Sequence, residues 1–216
     1  MDFLRKYDIK NIDENLLEEA LTHSSYSNEH KNTKNYERLE FLGDAVLELI
    51  TSEYFYQNTP YKEGEMTKKR ASFVCEKALA HYSKDIGLDK LIRVGIGQKD
   101  NINDTIVADV YESVLGCIYL CNGYEVAKNY VYKTVVPYIE KNFVFFGDYK
   151  TLLQECVQTS KKSLEYILVD EYGKDHNKTF IYEVKINGIT YGKGIGKSKK
   201  EAEQNAAYDA YKKSRG

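Results

Sequence analysis

The sequence predicts two folded units in series, an all-helical unit over residues 1–146 followed by a small α-β-β-β-α unit over residues 147–216. Three observations carry this. Up to about residue 142 the apolar residues recur at helical spacing. Beyond Phe143-Val144-Phe145-Phe146-Gly147 the pattern turns to short β-rich runs that alternate in polarity. The charge changes at the same place: residues 1–147 carry 18 Lys and Arg against 23 Asp and Glu, and residues 148–216 carry 13 against 10. The formal charge of -2 therefore divides into -5 and +3. An acidic first part and a basic second part fit a metal-dependent enzyme joined to a nucleic-acid-binding module.

The elements follow in order. Asp13 is a candidate N-cap for an early helix with Leu16, Leu17 and Ala20 on its apolar face. A long helix is expected from about residue 35 to residue 57, ending before Asn58-Thr59-Pro60. A third runs from about Glu65 to Ile86, where Gly87 stops it. A fourth begins after Asn103-Asp104-Thr105 and ends near Cys121-Asn122-Gly123. A fifth covers roughly Tyr124 to Asn142, with Pro137 as a kink or break. In the second unit a helix over Asp148–Thr159 precedes three runs, Leu164–Tyr172, Thr179–Asn187 and Ile189–Ile195. Asn187-Gly188 joins the last two, a strong hairpin signal because both residue types tolerate positive φ. The final helix starts at Ser198, with Glu201 three residues on to complete a capping box.

No apolar run reaches the ~18 residues of a membrane span, and Met1-Asp2-Phe3-Leu4-Arg5-Lys6-Tyr7-Asp8 lacks the apolar core of a secretory signal. A cytoplasmic protein with no membrane partner is expected. Cys75, Cys117, Cys121 and Cys156 form no CxxC pair, and they read as structural thiols. The many tyrosines, Tyr54, Tyr56, Tyr130 and Tyr132 among them, read as packing at the edge of the core.

The long helix carries the chemistry. At ~100° per residue, Glu37, Glu40, Asp44 and Glu48 fall within roughly 80° of one another, with Leu39, Leu42, Val46 and Leu49 assigned to the opposite side. Phe41 sits among the acids rather than with the other apolar residues. Carboxylates at i,i+3 and i,i+4 repel, so the face is either solvated or compensated by a cation. A second acidic pair, Asp109 and Glu112, projects from one face of the fourth helix. If the two helices face each other, Glu40 and Asp44 can meet Asp109 and Glu112. One or two magnesium ions would make that cluster a phosphodiester-cleaving centre.

Near the C-terminus, Gly192-Lys193-Gly194-Ile195-Gly196-Lys197-Ser198 invites comparison with a phosphate-binding P-loop. That pattern needs Gly where Tyr191 stands, so no nucleotide cofactor is expected. The start of the last helix, with Lys197, Lys199 and Lys200, still suits phosphate groups.

Asn35-Tyr36-Glu37-Arg38-Leu39-Glu40-Phe41-Leu42-Gly43-Asp44-Ala45-Val46-Leu47 closely resembles the signature of bacterial ribonuclease III. Asp109-Val110-Tyr111-Glu112 is similar to that family's second catalytic segment, and Leu21-Thr22-His23-Ser24-Ser25-Tyr26 to its early motif. The tail resembles a double-stranded-RNA-binding domain in Asp148-Tyr149-Lys150-Thr151, in Gly173-Lys174-Asp175-His176 and in Ser198-Lys199-Lys200-Glu201-Ala202.

The resemblance implies an all-helical endonuclease domain and an α-β-β-β-α RNA-binding domain, with activity on double-stranded RNA. It implies magnesium, with manganese as a substitute, on Glu40, Asp109 and Glu112. Asp44 and Glu112 would be the residues most directly tied to hydrolysis, with Glu37 at the rim of the cleft. It implies a homodimer in which Phe41 inserts into the partner, near Glu63 or Glu65, and in which two centres leave 5′-phosphate ends with short 3′ overhangs. Gln154, Glu155 and His176 would meet the minor groove, and Lys197, Ser198, Lys199 and Lys200 the phosphates. Ribosomal RNA precursors and some messenger RNAs are the implied substrates. Two positions depart from the family: Tyr36 replaces a small polar residue, usually Asn, and Lys174 replaces a loop proline. Neither is expected to touch a metal ligand.

Overall fold

The computed structural model describes residues 2–7, 9–143, 145, 149–158, 163–174 and 178–213. The chain divides into two compact units, Met1–Phe145 and Phe146–Gly216. The first is helical and the second is an antiparallel sheet with two helices, which is the fold class the sequence predicts.

The first unit runs α1 (Asp2–Lys6), α2 (Glu14–Ala20), α3 (Ser24–Glu29), α4 (Glu37–Asn58), α5 (Glu63–Phe73), α6 (Glu76–Ile86), α7 (Asp104–Asn122), α8 (Tyr124–Thr134) and α9 (Val136–Glu140). Local chemistry sets the ends. The Asp13 carboxylate accepts the backbone N–H groups of Asn15 and Leu16 at the start of α2. Asn103 accepts the N–H of Ile106 at the start of α7, and Gly87 closes α6 at φ 80°. The centre of the unit is the pairing of α4 with α7, which buries Leu39, Val46, Leu47 and Ile50 against Val110, Val114, Leu115 and Ile118. Two glycines permit that approach. A Cβ on Gly43 would lie 1.8 Å from the carbonyl oxygen of Glu112, and one on Gly116 would lie 2.4 Å from that of Leu39.

Several expectations are corrected. The helix expected over Glu65–Ile86 is two helices. Val74 and Cys75 leave helical geometry, Cys75 being extended at φ -77° and ψ 156°, and Tyr82 donates its hydroxyl to the Phe73 carbonyl at 3.1 Å. A buried side chain thus satisfies a carbonyl freed at the end of α5, and the break needs neither Gly nor Pro. The fifth helix breaks at Val135 rather than at Pro137, which occupies the first turn of α9, where its missing N–H costs nothing. On α4 the buried stripe is Leu39, Gly43, Val46, Leu47 and Ile50. Leu49, assigned above to the apolar side, is 58% exposed, and Tyr56 also lies open to solvent. The short helices α1 and α3 had no expectation. In α3 a ring nitrogen of His23 accepts the Ser25 N–H in place of a usual capping side chain.

The second unit runs α10 (Tyr149–Gln158), β1 (Leu164–Tyr172), β2 (Thr179–Ile186), β3 (Ile189–Gly196) and α11 (Lys199–Lys213). The sheet order is β1-β2-β3, all antiparallel, with Leu164 opposite Ile186 and Phe180 opposite Gly196. Asn187 and Gly188, at φ 51° and 78°, turn the hairpin as expected. Tyr182, Val184 and Ile186 face Leu153, Val157, Ala202, Ala206, Ala207 and Ala210, so both helices cover one face of the sheet. The glycines of the tail motif serve this packing. A Cβ on Gly192, Gly194 or Gly196 would lie 2.1–2.5 Å from the backbone of α11, between Ala202 and Ala210.

Candidate metal centre

The site is built by the crossing of α4 and α7. The first turn of α4 carries Glu37 and Glu40, with Asp44 one turn further on, and the second and third turns of α7 carry Asp109 and Glu112. The close approach at Gly43 and Gly116 brings the two helices together along this stretch. One carboxylate oxygen from each of Glu40, Asp109 and Glu112 lies within 4.8 Å of the others. Asp44 stands outside this trio, near enough to raise the proton affinity of Glu112. Glu37 is exposed beside Glu40. Glu48 lies 4.0 Å from the Arg70 guanidinium, which also donates to Ser52 Oγ at 2.7 Å.

Burial and mutual repulsion disturb the acids strongly. The Glu112 carboxyl is pushed up to about 8, first by burial and then by Asp44, Glu40, Asp109 and Glu48. Glu40 is pushed up to about 7 by burial and then by Asp109, Glu37 and Asp44. Asp109 is raised by burial, partly offset by its hydrogen bond from Tyr36. Asp44 is raised by burial and Glu48, with Arg70 opposing. Three half-buried acids with raised proton affinity form a hard oxygen donor set, which a divalent cation would neutralise. The donor set fits magnesium or manganese.

One contact at the site is not evident from the sequence. Tyr36, expected to touch no metal ligand, donates its hydroxyl to Asp109 Oδ2 at 2.9 Å. The contact joins segments far apart in the chain, so no local periodicity announces it. Arg70 is equally hidden, since its contacts with Glu48 and Ser52 join α5 to α4 and no spacing within α5 announces them.

Phe41 points away from the core and is 81% exposed. Elsewhere on the same unit an open pocket of about 240 Å³ is lined by Phe55, Tyr56, Met66, Glu63 and Arg70. Glu65 is exposed at the start of α5. In the second unit Gln154 is exposed on α10, the side chain of Glu155 lies outside the described residues, and so does His176. Lys197, Ser198, Lys199 and Lys200 are all exposed at the start of α11. The Ser198 hydroxyl accepts the Glu201 N–H, while the Glu201 carboxylate accepts the N–H of Lys197, one residue further back than a capping box requires. Lys199 lies 5.9 Å from the Phe180 ring.

Comparison with known proteins matches a separate family to each part of the chain. A family described as Ribonuclease-III-like matches residues 13–139, and the Double-stranded RNA binding motif matches residues 149–214. A protein named Ribonuclease 3 from Listeria monocytogenes is 43% identical over 215 residues, covering 96% of this chain and 93% of its own length. One of the same name from Phytoplasma mali is 44% identical over 207 residues, covering 94% and 92%. A solved nuclease domain of ribonuclease III from Campylobacter jejuni, described as flexible in a region involved in dimer formation, aligns with a TM-score of 0.55. It is 36% identical and covers 65% of this chain and 96% of that one.

Proposed function

The chain belongs to the ribonuclease III family, and from that footing we propose a magnesium-dependent, homodimeric endoribonuclease that cuts both strands of double-stranded RNA. The observation that carries this reading is the convergence of Glu40, Asp109 and Glu112 from two helices onto one point. Those three side chains would hold magnesium, with manganese as a substitute. A divalent cation bound there lowers the proton affinity of water and stabilises charge on phosphate oxygens. Glu112 faces that point from the more buried side, and Asp44 lies beside it on α4, so these two carboxylates act at the scissile phosphate. Glu37 lines the rim, where its charge orders solvent and cation around the cleft.

The dimer reading rests on Phe41. An aromatic ring left in water forgoes ~2 kcal/mol of burial, and a pocket lined by Phe55, Tyr56 and Met66 offers a partner's ring that burial. Glu63 lines that pocket, and Glu65, two residues on at the start of α5, is assigned to the same contact. The Campylobacter jejuni nuclease domain, with its region involved in dimer formation, supports this assembly. Two centres acting on opposite strands leave 5′-phosphate ends with short 3′ overhangs.

The RNA-binding motif supports recognition of the duplex by shape. Gln154, Glu155 and His176 are assigned to minor-groove contacts, and Lys197, Ser198, Lys199 and Lys200 to phosphates. The substrates proposed are ribosomal RNA precursors and some messenger RNAs. Among the described residues no helix is long and apolar enough to cross a membrane, and the cytoplasm is the proposed location. The test is incubation of end-labelled duplex and single-stranded RNA with the protein. Cleavage of the duplex alone, dependent on magnesium and stopped by a chelator, is the expected result. Binding without cleavage at saturating magnesium would refute it.

A further inference from the structure

We propose that Tyr36 is a positioning residue for the metal centre, fixing the plane of the Asp109 carboxylate relative to the turn that carries Glu40. This rests on the reading of Glu40, Asp109 and Glu112 as cation ligands. The phenol is 3% exposed, and its hydroxyl donates to Asp109 Oδ2 at 2.9 Å. Its backbone is anchored on both sides. The Tyr36 N–H donates to the Thr22 carbonyl at 2.9 Å, and the Tyr36 carbonyl accepts the N–H of Glu40 at 2.9 Å. The His23 ring packs against the phenol, with centroids 5.7 Å apart.

One residue therefore connects the early loop, the first turn of α4 and the acid on α7. A carboxylate offers about four acceptor sites. Tyr36 takes one, which leaves the remainder for a cation while stopping the group from rotating. Groups that orient a metal ligand in this way typically contribute about 10- to 100-fold to metal affinity. Removing the hydroxyl alone frees Asp109 to swing while the ring continues to fill its place.

The experiment uses the full-length chain and manganese as the probe. Binding is followed through the magnetic-resonance signal of free Mn²⁺ for the wild type, Tyr36→Phe and Asp109→Asn, and melting is recorded with and without Mn²⁺. The expected result is loss of the tight site in Asp109→Asn and a Kd raised ~10-fold or more in Tyr36→Phe. Tyr36→Phe should also show a smaller Mn²⁺-induced rise in Tm, whatever its metal-free Tm. A merely structural role would lower the metal-free Tm and leave that rise unchanged. Wild-type affinity in Tyr36→Phe, with binding lost in Asp109→Asn, would overturn the proposal. Wild-type affinity in both variants would overturn the metal assignment, and the proposal with it.

Discussion

Glu112 sits where burial and charge conflict most within the cleft, and its titration gives a signature that can be measured without RNA. Burial and the neighbouring acids push its carboxyl up to about 8 and that of Glu40 up to about 7, both above the ordinary 4.5. The folded chain then binds more protons than the unfolded one across this interval. The cluster's contribution to stability is complete below about pH 4.5 and is lost as pH rises through about 7 and then about 8. Glu112→Gln should therefore raise the metal-free Tm at about pH 8.5 and change it little at about pH 4.5, by scanning calorimetry. Saturating magnesium should reverse the order at the higher pH, because only the wild type keeps the ligand. An equal shift at both pH values would contradict the electrostatic account. At this scale much of the site was legible: spacings of three and four residues put Glu37, Glu40 and Asp44 on one helix and Asp109 and Glu112 on another. The Tyr36 hydroxyl bond was not, since it depends on how the two helices cross.

Among the elements, the α4–α7 crossing decides whether the acids meet. Gly43 and Gly116 lie at the contact, and either one carrying a Cβ would collide with backbone of the opposing helix. Gly43→Ala should cost roughly 3 kcal/mol of stability in denaturant titration, as overpacking of a closed contact does. It should also weaken cleavage beyond any unfolding, because the added methyl drives the Glu112 backbone away from α4. Normal stability in Gly43→Ala would refute the close approach. In the sequence this glycine read only as part of a motif. The breaks at Val74-Cys75 and Val135 were likewise illegible, because one depends on the Tyr82 hydroxyl reaching Phe73 and the other on packing rather than on the proline. The hairpin at Asn187-Gly188 was legible, since its φ values follow from the two residue types alone. At the start of α11, Lys199→Ala with Lys200→Ala should weaken duplex binding across sequences. The same double variant should flatten the salt dependence of binding by about one unit of slope for each phosphate that these lysines neutralise. An unchanged slope in a filter-binding series would remove them from the interface.

For the molecule as a whole, the proposed cleavage of both strands calls for a nuclease unit that would pair with a second copy and a basic unit that would hold the duplex. Phe41→Glu puts a charge on the exposed ring position and should shift the protein from dimer to monomer in sedimentation equilibrium, with cleavage falling in parallel. A variant that stays dimeric would place the interface elsewhere. That a nuclease is present was legible from the motifs of the first unit, and an RNA-binding module from those of the second, whereas the pocket beside α5 emerged only from the fold. The central claim, that the acidic crossing is the hydrolytic centre, is tested most directly by single-turnover cleavage of a labelled RNA duplex at saturating magnesium with Asp44→Asn and Glu112→Gln. Both variants should bind the duplex with wild-type affinity in calcium and lose about 100-fold or more of the cleavage rate. Cleavage at the wild-type rate by either variant would contradict it.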